Sequence, residues 1–269
     1  MSEAPRVLLD IENGIATVTL NRGKKYNGLD LAMFTAIVKT AKQIKKDRTV
    51  RAVILRGDGP AFCSGLDVMS MKKTPWMIPQ LLMKPGTKIS NLAQDVSLIW
   101  RDLPVPVIAV THGKCFGGGF QIALGADFRF STQDCEFSIM ETKWGLIPDM
   151  GGSVTLRELV RADIAKELTM TGRVFDAEEA QKIGIVTRVC DDPLAEAKDF
   201  AAELATRSPD ALAAGKKLFQ EAWTSDLKTA LKWETELQKK ILGRWNQLAA
   251  ASKNLSKNPW DYKQRRKKY

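Results

Sequence analysis

The sequence contains a single histidine, His112, among its 269 residues. Any Ser-His-Asp or Cys-His mechanism would have to pass through that one ring, and no GxSxG nucleophile elbow is present. We therefore interpret His112 as a structural residue. The remaining groups that can transfer protons at neutral pH are carboxylates, so we expect catalysis by Asp or Glu.

Phosphate-loop, dinucleotide and metal motifs are also absent. The sequence has no GxxxxGK[ST], and "GKCFGGG" does not have the GxGxxG spacing of a dinucleotide fold. The four cysteines form no CxxC pair, which argues against a zinc ribbon and against a disulfide framework. We expect no metal site, and we predict that the cysteines are buried as small apolar residues; they are Cys63, Cys115, Cys135 and Cys190.

Long apolar runs are missing as well. No stretch of about 18 uncharged apolar residues occurs, and "MSEAPRVLLD" does not resemble a signal peptide. These features predict a cytoplasmic protein without a membrane span. The net charge is +10, and the end of the chain, "KQRRKKY", carries five basic residues in seven. Because this tail lacks interleaved aromatic residues and a recognisable binding module, we expect it to be solvated rather than bound to nucleic acid.

The order of the patterns indicates an α/β protein. "VLLDIENGIATVTLNR" predicts a hairpin that turns at Asn13 and Gly14, and residues 29–46 have helical spacing. "VRAVILRGDG" and "PVPVIAVTHG" predict buried strands, each followed by a glycine turn. From about residue 193 the chain becomes rich in alanine and helical. We therefore divide it into a core of residues 1–200 and a helical C-terminal region of residues 201–269 with a basic tail.

Residues 69–94 form the least regular part of the pattern, with three prolines and four methionines. Long insertions of this kind are often functional lids or binding walls. The methionines and Trp76 would suit an adaptable apolar pocket, and local packing explains them equally well.

Two glycine-containing loops are candidate hydrogen-bond donor sites. Gly117, Gly118 and Gly119 follow a predicted strand and precede a helix, where backbone amides lack partners and attract negative charge. The second loop, "GPAFCSGLD", contains Gly65, which permits a close approach of the backbone. Two amides that converge on one carbonyl oxygen from separate loops would form an oxyanion hole.

Taken together and in this order, five segments resemble the crotonase superfamily, the enoyl-CoA hydratase/isomerase family of acyl-CoA enzymes. They are "IATVTLNRGKKYNGLD", "RAVILRGDGPAFCSGLDV", "VIAVTHGKCFGGGFQIALGADFRF", "CEFSIMETKWGLIPDMGGSVTLRELV" and "TGRVFDAEEAQKIGIVTRV". The resemblance implies a spiral of ββα turns, a C-terminal helical region used for trimer assembly, and a coenzyme A thioester as substrate.

By the same resemblance, the oxyanion-hole amides fall on Leu66 and Gly118. Contacts to coenzyme A fall on Lys25 and on the segment from Ser64 to Val68, which also contains Gly65 and Asp67. Gly118 and Gln121 are expected to contact the substrate as well. The resemblance implies no tightly bound cofactor, because coenzyme A is part of the substrate. The expected partners are the acyl-CoA and further copies of this chain, in a homotrimer or hexamer.

The carboxylates decide which reaction of the family is expected. Hydratases of the family have two glutamates; the second is retained here as Glu141, and Gln121 replaces the first. An amide can orient water or substrate, but it cannot act as a general base near neutral pH. Asp149 stands where dienoyl-CoA isomerases of the family have a catalytic aspartate, although those enzymes also have an aspartate in place of Gln121.

We therefore favour an isomerase that moves a double bond in an enoyl- or dienoyl-CoA through Glu141 and Asp149. A narrower version uses Glu141 alone. The alternatives are an enoyl-CoA hydratase in which Gln121 orients the water, and a catalytically weak CoA-binding or nucleic-acid-associated protein. Asp149 could instead cap the turn that follows Pro148.

Overall fold

The computed structural model of the chain describes residues 4–74 and 76–267. The strands of the described residues are β1 (Val7–Glu12), β2 (Ile15–Leu20), β3 (Ala52–Gly57), β4 (Val107–Thr111), β5 (Lys114–Phe116), β6 (Phe128–Ser131), β7 (Glu136–Ser138) and β8 (Arg188–Val189). The helices of the core are α1 (Leu31–Lys46), α2 (Val68–Lys73), α3 (Met77–Leu82), α4 (Leu92–Arg101), α5 (Gly118–Leu124), α6 (Gly152–Leu156), α7 (Ala162–Thr171), α8 (Ala177–Lys182) and α9 (Pro193–Ala205). Those of the C-terminal region are α10 (Pro209–Ala222), α11 (Leu227–Ile241) and α12 (Trp245–Leu255).

The main sheet has six strands in the order β1-β2-β3-β4-β6-β8. Strands β1 and β2 form the predicted antiparallel hairpin, with Asn13 and Gly14 at positive φ in the turn. The remaining neighbours are parallel. Strand β4 is buried throughout, because α1, α4 and α5 cover one face of the sheet and α9 packs on the other. Burial on both faces explains the nearly continuous apolar runs of the parallel strands.

Successive turns of the chain repeat one pattern and form a spiral. After β3, residues 62 and 63 pair with the segment that follows β4; after β4 comes β5; after β6 comes β7. Strands β5 and β7 form a second, parallel pair, and the backbone of Cys63 forms an isolated β-bridge with that of Cys115 in β5. The predicted α/β spiral is confirmed.

Helix α1 begins two residues later than the start of the predicted segment. The Asp30 carboxylate accepts a hydrogen bond from the Met33 amide at 2.8 Å and so caps the helix at that position. Lys45 and Lys46 lie in the last turn, where positive charge is favourable.

Segment 69–94 is more regular than its composition indicates. It contains most of α2, all of α3 and the beginning of α4, and Asn91 and Gln94 form a capping box at the start of α4. Pro75 lies outside the described residues. Among the residues that are described, no helix has the length and apolarity needed to cross a membrane.

The expectation of a solvated basic tail is wrong for Arg265 and Arg266, which lie in residues 262–267, a segment that we call the C-terminal strap. The side chains of Lys263, Gln264 and Lys267 in the strap are exposed. Arg265 is 3% exposed; its guanidinium donates to the Asp47 carbonyl, and its own carbonyl accepts from Arg48 Nε. The amide of Arg266 donates to the Asp210 carboxylate of α10 at 2.8 Å. The strap thereby joins the C-terminal helices to the end of α1. Lys268 and Tyr269 lie outside the described residues.

An ion-pair network joins segment 64–68 to residues on either side of the N-terminal hairpin. The Asp67 carboxylate contacts Arg22 Nη1 at 2.7 Å and accepts from the Ser70 hydroxyl and amide. Arg22 also lies 3.5 Å from Asp30, which Arg6 contacts at 2.9 Å. Burial raises the pKa of Asp67, but the bonds from Ser70 and Arg22 outweigh it and lower the pKa to about 2.

The strap contacts predict different effects for two basic-to-alanine substitutions. Arg265→Ala removes a buried side chain and one hydrogen bond, so we expect the free energy of unfolding to fall by about 1–3 kcal/mol. Lys267→Ala, at an exposed position, should change it by less than about 0.5 kcal/mol. Urea denaturation of both variants measures the difference, and equal stabilities would contradict a docked strap.

The pKa of Asp67 predicts a pH-dependent contribution to stability. Since the folded pKa lies below that of the unfolded chain, the stabilisation is complete above about pH 4 and is lost as the pH falls towards 2. We expect Asp67→Asn to cost about 2 kcal/mol at pH 7 and less at pH 3. Urea titrations at both pH values, with the exposed Asp10→Asn as control, measure this; a cost that is the same at both pH values would be inconsistent with it.

Candidate active site

The candidate site lies where three parallel strands end. The carboxyl ends of β3, β4 and β6 point to the same edge of the sheet and lead, in that order, to the Gly65 loop, the glycine run and Glu141. Ligands of open parallel sheets bind at the carboxyl ends of strands. The sheet therefore gathers residues that are up to 76 positions apart in the chain.

The two predicted donor loops come together. A Cβ built on Gly65 would lie 3.3 Å from the Gly118 nitrogen, and the amides of Leu66 and Gly118 donate to no other described residue. Leu66 keeps its amide free because the parallel bridge to Leu29 uses the neighbouring Gly65 carbonyl and Asp67 amide. Gly118 is free because it begins α5.

This approach of the two loops requires glycine. Gly65 has φ of +88°, and a Cβ there would lie 2.9 Å from the Phe116 carbonyl oxygen. A Cβ on Gly119 would lie 2.3 Å from the Cys63 carbonyl oxygen, which is shorter than any van der Waals contact. Side chains at either position would push the two donor amides apart.

Glu141 lies on the 3₁₀ helix Met140–Trp144 and faces the glycine run. Its carboxylate oxygens lie 3.6 and 4.0 Å from the position of a Cβ on Gly117. Oε1 accepts a hydrogen bond from Gln121 Nε2 at 2.6 Å, whereas Oε2 is buried and has no hydrogen-bond partner among the described residues. Burial raises the pKa of Glu141, and the negative charge of Asp149 raises it further.

Asp149 lies in the loop before α6, close enough for its charge to act on Glu141. Its side chain reaches the surface, but the protein around it still raises its pKa through burial. It accepts no hydrogen bond from another described residue, so it does not cap the turn after Pro148. The structure thus places Glu141 and the loop of Asp149 against the same residue, Gln121, and burial raises the pKa of both carboxylates.

Gln121 is buried beneath these carboxylates. Its Oε1 accepts from the amides of Met150 at 2.9 Å and Gly152 at 3.0 Å, while Nε2 donates to Glu141. Both acceptor positions of the carbonyl oxygen are therefore occupied by backbone amides. The assignment of Gln121 as a substrate contact stays a prediction.

The residues predicted to contact coenzyme A lie on two segments that contact each other. The Ser64 amide donates to the Tyr26 carbonyl at 2.9 Å, next to Lys25, whose side chain is exposed. Val68 begins α2, and the Asp67 carboxylate is committed to Arg22 and Ser70. Lys25 and the backbone of 64–68 are thus placed together, and their contacts to a ligand stay a prediction.

Sequence reasoning did not single out Asn27, which supports the donor loop. Its side-chain amide donates to the carbonyls of Asp58, Ala61 and Phe62 at 2.8–3.1 Å, and its Oδ1 accepts from the Arg22 amide. Asn27 has φ of +54° and is followed by Gly28, and Asn-Gly is a pair of residues typical of turns. The pair could have indicated the turn, but not the three carbonyls that lie beyond it.

Of the cysteines predicted to be buried, three agree with the prediction and Cys190 does not. His112 Nε2 lies 3.0 Å from the Gly59 carbonyl, at the end of β4. Cys63, Cys115 and Cys135 are buried, and burial raises the pKa of Cys63 and of Cys135 to about 12, which leaves these thiols unreactive. Cys190 is only partly buried.

Comparison with known proteins agrees with this geometry. The family described as "Enoyl-CoA hydratase/isomerase" matches residues 10–265. A short-chain-enoyl-CoA hydratase of Clostridium acetobutylicum is 32% identical, over 87% of this chain and 88% of that protein. The mitochondrial Delta(3,5)-Delta(2,4)-dienoyl-CoA isomerase of Rattus norvegicus is 33% identical, over 74% of this chain and 63% of that protein.

The solved structures give the same result for the fold. The crystal structure of an enoyl-CoA hydratase from Bacillus anthracis superposes with a TM-score of 0.86 at 26% identity, over 96% of this chain and 98% of that one. The family match covers nearly the whole chain, and the relatives include both hydratases and an isomerase. The chain therefore belongs to the enoyl-CoA hydratase/isomerase family and has the crotonase fold.

Proposed function

We propose that this enzyme moves a carbon–carbon double bond in an enoyl- or dienoyl-CoA by proton transfer between Glu141, Asp149 and the acyl chain. The observation that carries the proposal is the buried Oε2 of Glu141, which has no partner among the described residues and lies beside the glycine run. An unpaired buried carboxylate oxygen is costly to the fold and is suited to accept a proton from a substrate carbon.

The thioester carbonyl would accept hydrogen bonds from the amides of Leu66 and Gly118. Removing a proton next to this carbonyl creates an enolate, and two fixed amides stabilise its negative charge as it forms. Around Gly118 the walls are apolar, since a Cβ there would meet Met150 Sδ at 2.7 Å and Leu29 Cδ1 at 3.0 Å. Apolar walls exclude water and strengthen such hydrogen bonds.

In the proposed reaction one carboxylate takes a proton from one carbon, the double bond shifts along the chain, and the other carboxylate returns a proton to a distant carbon. No atom is gained or lost, so the product is an isomer of the substrate. Coenzyme A enters as part of the substrate, and the mechanism uses no further cofactor. The raised pKa values of Glu141 and Asp149 suit groups that both accept and donate protons.

Hydration is the second candidate, and it depends on how Gln121 could hold a water molecule. Its carbonyl oxygen already accepts from two backbone amides, so a water could only accept from the remaining N–H. A water held in that way gains no basic partner from Gln121. This arrangement favours isomerisation over hydration by two acids.

We also propose that the chain acts in the cytoplasm and assembles with itself into a trimer or hexamer. Large apolar side chains are exposed on α10, on α11 and in the turn between them, among them Phe219, Trp223 and Leu227. Trp144 and Ile147, beside the candidate site, are exposed as well. Exposed apolar groups in such number are typical of protein interfaces.

The assembly proposal predicts a defined oligomer in solution. Sedimentation velocity at micromolar concentration should give a mass of three or six chains, and Trp223→Glu should shift the distribution towards smaller species because it buries a charge in the interface. A monomeric wild-type protein would contradict the proposal.

The proposed reaction predicts distinct effects for the two carboxylates. We expect the wild type to turn over 3-enoyl- and 3,5-dienoyl-CoA, which the absorbance of the conjugated product measures. For Glu141→Gln we expect kcat to fall by about 10²–10⁴-fold. Asp149→Asn should abolish the dienoyl shift and retain part of the 3-enoyl shift. The exposed neighbours supply matched controls, Glu136→Gln and Asp134→Asn, which should behave as wild type.

Two results would contradict this assignment. If only 2-enoyl-CoA is turned over, by hydration, and Asp149→Asn leaves that turnover intact, the enzyme is a hydratase. If none of the three substrates reacts but acyl-CoA binding is retained, the chain is a CoA-binding protein with little catalytic power.

A further inference from the structure

Gln121 is 1% exposed and connects three parts of the candidate site. It lies in the first turns of α5, the helix that begins with the Gly118 amide. From there its side chain reaches the 3₁₀ helix with Glu141 and the loop that carries Asp149.

The carbonyl end of the side chain anchors the Asp149 loop. Oε1 accepts from the amides of Met150 and Gly152, the residues directly after Asp149 and at the start of α6. A Cβ on Gly152 would lie 2.9 Å from this oxygen, so the backbone approaches Gln121 as closely as it can. The loop position is thus fixed by a side chain that is 29–31 residues away in the chain.

The nitrogen end of the same side chain selects one oxygen of Glu141. Nε2 donates to Oε1 at 2.6 Å, and Oε2 is left as the oxygen without a partner among the described residues. The bond fixes the rotation of the carboxylate, and it also favours the charged form. Since the amide cannot rotate without losing both loop contacts, the orientation of Glu141 and the position of the loop are linked.

We infer that Gln121 is a positioning residue that fixes Glu141 and the Asp149 loop relative to each other, rather than a group that contacts the substrate. This inference rests on the proposed roles of Glu141 and Asp149. The side chain at position 121 must accept from two amides at one end and donate to a carboxylate at the other.

A carboxylate at position 121 would meet only half of this requirement. Glu could still accept from Met150 and Gly152, but its second oxygen would face Glu141 Oε1 at about 2.6 Å. Two carboxylates at that distance share one proton. Glu141 would then be available as a base only at higher pH.

The charged groups around Glu141 are few, so a change in its pKa reports the change at position 121. Asp149 is the neighbour whose charge acts on it, and it raises the pKa. Lys143 on the same 3₁₀ helix and Glu167 on α7, which packs against that helix, are exposed to solvent. A shift of the acidic limb of the rate profile in a Gln121 variant would therefore report on the contact with Glu141.

The first experiment compares the pH dependence of kcat/KM for the wild type, Gln121→Glu and the exposed control Gln133→Glu. It uses whichever acyl-CoA the wild type turns over, so it does not depend on the proposed reaction. We expect Gln121→Glu to move the acidic limb to higher pH while Gln133→Glu keeps the wild-type profile. An unchanged limb in Gln121→Glu would overturn the inference.

The second experiment tests the anchor without any turnover. In Gln121→Leu, hydrogen–deuterium exchange should become faster in residues 149–153, because the amides of Met150 and Gly152 lose their acceptor. For the same variant kcat should fall by about 10²-fold with little change in KM, since the carboxylates are displaced rather than the substrate released. A rise in KM with wild-type exchange at 149–153 would instead identify Gln121 as a substrate contact.

Together the two experiments separate failure of this inference from failure of the proposed function. Faster exchange and a shifted limb would support the positioning role even if the measured reaction were hydration. Wild-type exchange and an unshifted limb would overturn the role even if the measured reaction were isomerisation.

Discussion

The contact between the backbone of the Gly65 loop and the glycine run 117–119 is the constraint on which the site depends. Two amides can stabilise one oxygen only if their loops approach to within a hydrogen-bond length of a common point. Gly65 and Gly119 allow this because a Cβ at either would overlap the carbonyl of the facing loop. Much of the surrounding structure holds these two loops together.

The support for this contact comes from two directions. From the N-terminal side, Asn27 binds three carbonyls that precede the Gly65 loop, and Arg22 fixes Asp67 at its end. On the other side, β5 pairs with β7 and with the backbone of Cys63, and this pairing fixes the position at which the glycine run begins. The Leu66 and Gly118 amides are therefore held in place by the fold, as the proposed stabilisation of an enolate requires.

The two carboxylates differ from the donor amides, because the surrounding protein makes their charged form less stable. Glu141 and Asp149 each have a raised pKa, and each would lower the cost of its charge by exposure or by an ion pair. Gln121 supplies one hydrogen bond to Glu141 and anchors the Asp149 loop, and it adds no charge. The site thus holds two acids with a raised pKa near a set of neutral donors, whereas the ion pair of Arg22 and Asp67 lies at its edge.

Local sequence determined the hairpin at Asn13 and Gly14, the buried parallel strands and the two glycine loops, because short-range periodicity and residue chemistry encode them. The choice of Glu141 and Asp149 as the acids came from the resemblance to the family. Only the tertiary structure decided how Gln121, Asp67 and the C-terminal strap are used. Gln121 accepts from amides about 30 residues away, and Arg265 is buried against residues more than 200 positions earlier. A basic run and a lone glutamine have the same local pattern whether solvated or buried, so only packing between distant segments distinguishes the two cases.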